Sequence, residues 1–258
     1  MSDLPSRPAG YGVAYECLAI QSEKAPRSAL ARFFGVDPMS SEAVSWYQGA
    51  LGEIVVGRAL ERLGPEWTVL HSVPVGLKGS DIDHIVVGPS GVYTINTKRH
   101  RGKRVWVGDR IILVNGQKTD HLRNSRYEAE RASKLLPQAV GTYVPVTPLL
   151  VIVESAGVTT RSKPKDLQVL VLSELVRWLK RRKPNVDPDV AAIVARAAAN
   201  PRTWTSVPAR PLDEAVMTDF ATLRAEDEGA RHRRIAWIVV GAAIGTVVVT
   251  SRLLELIN

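Results

Sequence analysis

Apolar and polar positions along the chain sort into a readable series of elements. Asp81-Ile82-Asp83-His84-Ile85-Val86-Val87 and Val92-Tyr93-Thr94-Ile95-Asn96-Thr97-Lys98 are rich in β-branched residues, and Gly88-Pro89-Ser90-Gly91 between them is a turn signal, so together they predict a β-hairpin. Upstream, residues 45–63 carry apolar side chains at helical spacing and stop at Gly64-Pro65. Residues 67–75 read as a strand. Downstream, residues 105–107 and 110–114 predict short strands joined at Gly108-Asp109, and Asn115-Gly116 marks a further turn. A helix follows from Thr119 to Leu136, ending before Pro137, and the alternating signs of Arg123, Arg126, Glu128, Glu130 and Arg131 make it half-exposed. The unbroken apolar run of residues 148–153 predicts a central strand covered on both faces. Residues 167–172 predict one more strand, and residues 173–180 and 190–199 predict helices. The first forty residues read as a loosely ordered lead-in, with a short helix at residues 30–34.

Toward the C-terminus the pattern changes. Residues 235–251 contain no charged side chain, and as a helix they would be about 25 Å long, near the lower limit for crossing a bilayer. Arg252 can snorkel, and Leu253-Leu254 extends the run. Arg231, Arg233 and Arg234 on one side, against Arg252 and Glu255 on the other, predict a single-pass anchor in the cell membrane with the main domain facing the cytoplasm. A buried core helix is the alternative. Glycine and β-branched residues all round, with no polar face, favour lipid. Residues 1–10 lack the apolar core of a signal peptide.

Charge and the reactive residues narrow the functional classes. The 258 residues carry 34 Lys and Arg against 26 Asp and Glu, a formal net charge of +8. That surplus favours anionic partners, either nucleic acid or an anionic membrane surface. One basic cluster, Lys98, Arg99, Arg101, Lys103 and Arg104, directly follows the hairpin, with Trp106 close behind. A second, Arg177 to Lys183, reads as a solvated face. Cys17 is the single cysteine, so no internal disulfide forms. The histidines lack zinc-ligand spacing, Ser90 and Cys17 have no His/Asp partners at interpretable spacing, and no phosphate-binding glycine motif is present. His84 alternates away from Asp83 and reads as a packed, structural residue.

The hairpin carries the candidate chemistry. Side chains two apart on a strand share a face, so Asn96 and Lys98 point together and Asp83 can join them from the neighbouring strand. An acid, a second oxygen ligand and a lysine at a strand edge make a site for metal-assisted phosphodiester cleavage; an ordinary solvated hairpin is the alternative. The order helix, strand, Asp strand, Asn-x-Lys strand resembles the PD-(D/E)XK nuclease core, and more narrowly the nuclease-related domain (NERD) family. The resemblance rests on Gly49-x-x-Gly52-Glu53, on Ile82-Asp83-His84 with the Val-Val-Gly-Pro-Ser-Gly after it, on Thr94-Ile95-Asn96-Thr97-Lys98 with Gly102, and on Asn124 opening the next helix. It spans roughly residues 45–155.

The resemblance implies an α/β fold, a restriction-endonuclease-like mixed sheet flanked by helices. The expected division is a lead-in at 1–41, a nuclease domain at 42–172, a helical extension at 173–230 and the anchor at 235–251. Glu53, Asp83 and Asn96 would surround Mg²⁺ or Mn²⁺, Lys98 would stand beside the attacking water or the scissile phosphate, and Arg99, Arg101, Lys103 and Arg104 would contact DNA or RNA. Carboxylate and carbonyl oxygens suit a hard cation, and a lysine offers a compact positive charge to the phosphate. Where the family motif has its second acid this chain has Asn96, which removes one negative charge. Asp81, two residues before Asp83, could supply it, or could be a surface acid near a turn. Two functions follow: a membrane-tethered, metal-dependent nuclease, or an inactive nuclease-like nucleic-acid-binding or scaffolding module at the membrane. A third reading confines the basic surface to lipid headgroups.

Overall fold

Two mixed sheets, rather than the single one expected, organise the strand-forming segments. The structure is a computed structural model and describes residues 4–75, 81–205 and 212–257, with Val248 and residues 251–257 described by their backbone alone. The first elements in chain order are helices α1 (Tyr11–Ser22), α2 (Ala29–Phe33) and α3 (Ser41–Leu60), then strands β1 (Thr68–Pro74), β2 (Asp81–Gly88), β3 (Gly91–Arg99), β4 (Arg104–Val107), β5 (Ile112–Val114) and β6 (Gln117–Thr119). Helix α4 (His121–Val140), strands β7 (Val146–Val153), β8 (Gly157–Thr160) and β9 (Gln168–Val171), and helices α5 (Leu172–Arg181), α6 (Pro188–Ala199) and α7 (Ala215–Ile257) complete it. The chain forms two compact units, Met1–Tyr15 with Trp46–Asp213, and Glu16–Ser45 with Glu214–Asn258.

In the first unit the larger sheet runs β1-β2-β3-β7-β9. The β1–β2 and β2–β3 pairs are antiparallel, and β3–β7 and β7–β9 are parallel. Alternation sends Ile85, Val87 and Val92 to one face, where Ala132 and Leu136 of α4 and Val194 and Ala198 of α6 cover them. Val86, Tyr93 and Ile95 go to the other face, against Val56 and Leu60 of α3 and Leu175 and Leu179 of α5. Strand β7 is covered on both sides, as its apolar run predicts: Leu149, Val151 and Val153 face α3 and α5, and Leu150 and Ile152 face the smaller sheet.

That smaller sheet has the order β6-β5-β4-β8. Asn115 (φ 48°) and Gly116 (φ 83°) both lie in the left-handed region, the requirement of a two-residue hairpin turn, so Gln117–Thr119 folds back as β6. The chain from Thr119 therefore begins as strand, not as helix. Strand β8 pairs with β4 but is mostly exposed and polar, which leaves no hydrophobic signature in the sequence.

Helix α4 passes through Pro137 instead of stopping before it. A proline in the last turn forfeits one N–H, a tolerable loss, while Leu136 and the partly buried Val140 continue to pack. Gly141, at φ 75°, closes the helix by donating its N–H to the Pro137 carbonyl at 2.8 Å.

In the second unit residues 16–22, expected to belong to a loose lead-in, continue helix α1. Phe33, Phe34 and Trp237 form an aromatic cluster with ring centroids 5.0–5.3 Å apart, and the Trp237 indole N–H donates to the Phe33 carbonyl. Among the described residues no helix is long and apolar enough to cross a membrane, which corrects the expected anchor at 235–251. The apolar stretch lies within the long helix α7. Val248 and Ser251, also in the predicted span, lie outside the residues whose side chains are described.

Gly88, at the end of β2, has no room for a side chain: an added Cβ would enter the Trp67 indole. Gly88→Ala is expected to destabilise the first unit by about 1–3 kcal/mol through overpacking. A lowered denaturation midpoint reads this directly; an unchanged midpoint would show that Trp67 moves aside freely.

Candidate active site

The β2–β3 ladder ends at His84 paired with Ile95. Beyond it the Thr97 N–H is met by the side chain of Asp83, whose Oδ2 accepts at 2.6 Å. This hydrogen bond fixes the carboxylate at the point where the strands part. Thr94, Asn96 and Lys98 share one side of β3. Ile95, Thr97 and Arg99 share the other, against α3. Gly52 permits this approach, since a Cβ there would lie 3.1 Å from Arg99 Cβ and 3.2 Å from Thr97 Cγ2. The next residue, Glu53, is thereby brought to the strand end and is 5 % exposed.

Asn96 is 2 % exposed, and its Nδ2 donates to Glu128 Oε1 on α4. Glu128, read from sequence only as one charge on a half-exposed helix, belongs to the inner stripe of α4: it lies three residues after buried Ser125 and four before buried Ala132. That phase was a signal available in the sequence. The alternation of charge signs around it concealed it.

Three acids feel the charge of one lysine, Lys98. Burial pushes the Glu53 carboxyl well above the ordinary carboxylate range, the Asp83 charge pushes it further, and Lys98 opposes them. The Asp83 carboxyl is likewise raised by burial, against the pull of Lys98 and the Thr97 N–H. Burial and then the charge of Asp83 hold Glu128 well above the usual range, with Lys98 and the Asn96 amide opposing. Asp81 also raises Glu53, but its carboxylate lies 4.0 Å from the Arg7 guanidinium, which occupies it structurally.

The other expected residues divide. Arg99 is not a free phosphate contact: its guanidinium bonds Gln48 and pairs with Glu154 at 2.6 Å, tying α3, β3 and the residue after β7 together. Arg101 and Lys103 are exposed on the β3–β4 connection, and Arg104, also exposed, opens β4. Asn124 does not open α4, which begins at His121; it lies in the first turns, where its N–H bonds the Asp120 carbonyl. Four of the five histidines form two pairs. His71 and His84 are cross-strand partners with Nδ1 atoms 2.8 Å apart; burial takes His71 down to about 4 and His84 well below its usual value. His100 and His121 stack with Nε2 atoms 2.9 Å apart, and burial lowers His121 to about 3.

The donor set is all oxygen, the chemistry of a hard divalent cation. Buried Asn96 Oδ1 and Glu128 Oε2 have no hydrogen-bond partner. Such atoms are costly to leave unbonded, and a cation would bond them. Among the described residues no three or more His, Cys, Asp or Glu side chains converge tightly enough to hold a metal unaided. Asn96 and water would have to complete the shell, as Mg²⁺ readily allows. Glu53, Asp83, Asn96 and Glu128 are the residues that could hold it.

Among known protein families, residues 48–153 match the family model of the nuclease-related domain, NERD. The matched span includes Glu53, Asp83, Asn96, Lys98 and Glu128. Among curated proteins the chain is similar to an uncharacterized protein of Bacillus anthracis, 40 % identical over 60 residues, which are 22 % of this chain and 28 % of that one. The chain thus spans little more than a quarter of the length of the relative it matches. No solved structure matches the chain.

Because the acids' folded-state values lie above their unfolded values, the metal-free folded state binds more protons than the unfolded chain. Their contribution to stability is fully present below the unfolded carboxyl pKa of about 4 and is lost as pH rises through the raised values. The histidine pairs act oppositely below about pH 6.5, so the comparison is between variant and wild type. In EDTA, Glu53→Gln is expected to be more stable than wild type at about pH 8, with the advantage vanishing toward about pH 4. Thermal denaturation across pH measures it, and a difference independent of pH would refute the assignment.

Proposed function

We propose that this chain hydrolyses phosphodiester bonds of DNA or RNA with the help of Mg²⁺ or Mn²⁺. The observation that carries the reading is Asp83 held by the Thr97 N–H where β2 and β3 part, with Asn96 bonded to Glu128 on the same side of β3 and an oxygen of each left buried and unbonded. The NERD match supports a nuclease-like domain. When bound, the cation lowers the pKa of a water and neutralises charge on the departing oxygen.

The protein's own groups do the rest. Asp83, locked by a backbone donor, keeps one carboxylate orientation and holds the reacting centre in register with β3. Lys98 presents its ammonium to the phosphate, where negative charge develops. Glu53, brought to the strand end by α3, would offer its carboxylate to the cation. Arg101, Lys103 and Arg104 neutralise backbone phosphates on either side of the cut.

Asp83→Asn and Lys98→Met are each expected to lower divalent-dependent cleavage by about a hundredfold or more, with little further loss in the double variant because they act as a unit. The thermal midpoint should not fall. Cleavage undiminished in both variants would reject the site. Nucleic-acid binding without cleavage in the wild type would favour the inactive-module reading. Replacing Arg101, Lys103 and Arg104 together by alanine should lower the slope of log affinity against log salt by about 0.7–0.9 for each phosphate that is no longer neutralised. An unchanged slope would place the nucleic acid elsewhere.

A further inference from the structure

We infer that Glu128 supplies the carboxylate that the strand motif lacks at Asn96, so that the site's negative charge has been transposed from strand β3 to helix α4. Asn96 then serves as the residue that positions it. This rests on the metal-dependent reading above.

The two residues are joined directly: Asn96 Nδ2 donates to Glu128 Oε1. A second carboxylate at 96 would stand against Glu128 and repel it. An amide instead presents an N–H to the acid and leaves its own oxygen for a cation. The pair therefore carries one negative charge in total, the same as an acid at 96 beside a neutral partner.

Structure alone does not account for the acid on α4. The cations nearest along the helix are engaged with other groups: Arg131 donates to the Tyr127 hydroxyl and lies over its ring, and Lys134 pairs with Glu130. Glu128 Oε2 is buried with no hydrogen-bond partner, and Asn96 Oδ1 beside it is in the same state. A buried carboxylate with one oxygen unbonded and no ion pair costs stability. Glutamine at 128 could keep a bond with Asn96 without that penalty. Two adjacent, unbonded, buried oxygens are the complement of an oxygen-seeking cation. The charge of Asp83 also acts on Glu128.

The test is Mn²⁺ titration of the full-length chain by calorimetry, with no nucleic acid present. Wild type should bind, and Asp83→Asn should abolish binding. Glu128→Gln should weaken it by about tenfold or more, since carboxylate count sets divalent affinity, while raising the thermal midpoint in EDTA. Moving the acid back to the strand, Asn96→Glu with Glu128→Gln, should recover affinity that Glu128→Gln alone loses. Glu128→Asp, which keeps the charge, should bind more tightly than Glu128→Gln. If Asp83→Asn loses binding while Glu128→Gln binds like wild type, the transposition is wrong and the metal-dependent reading stands. If wild type binds no Mn²⁺, both fall. A double variant that binds no better than Glu128→Gln would show that charge at 96 cannot replace charge at 128 and would overturn the transposition.

Discussion

The hydrogen bond from the Thr97 N–H to the Asp83 carboxylate is the constraint on which the rest of the site depends. Up to His84 the two strands satisfy each other's backbone, and the next donor on β3 is satisfied by a side chain. One short polar contact therefore ends a ladder, orients an acid and exposes the strand end to helices on both faces. Glu53 reaches it because Gly52 lets α3 lie against Thr97 and Arg99, and Glu128 reaches it because Asn96 offers an amide on the other side.

Gathering acids in this way opposes folding. Each carboxyl is held above its ordinary range chiefly by burial, and two of them also by a neighbouring acid, with Lys98 as the cation that opposes this at each. The surrounding frame is correspondingly firm. The larger sheet is packed on both faces, and Arg99, bonded to both Gln48 and Glu154, cross-links the end of β3 to its neighbours. Local destabilisation of this kind is found where groups are arranged for chemistry rather than for packing.

Much of this was legible beforehand. The hairpin, the α3 segment and the central strand β7 announce themselves by β-branched runs, helical spacing and an unbroken apolar run, because packing on both faces leaves such marks. Three features left weaker ones. Strand β8 is polar and exposed, so nothing in its composition required a partner. Glu128 was hidden because charge alternation describes a helix surface well and a helix phase imperfectly. Within the apolar run at 235–251, Trp237 is drawn into a cluster with Phe33 and Phe34 that local sequence does not foretell. Asn96 stands out in the sequence as a departure from a motif, but its partner Glu128 lies on another element, beyond the reach of local spacing.

The parallel pairing of β3 with β7 has a kinetic consequence. Val92 meets Val146 only after the smaller sheet's first three strands and all of α4 have intervened, a loop of roughly fifty residues whose closure costs entropy before any contact rewards it. The β2–β3 hairpin, by contrast, closes across a turn of a few residues. Asp83, Asn96 and Lys98 can thus come together early and locally, whereas Glu128 arrives with the late crossover. A half-folded chain would display the lysine and its first acid without the helix acid, and the complete set would exist only once the slow, long-range step is finished.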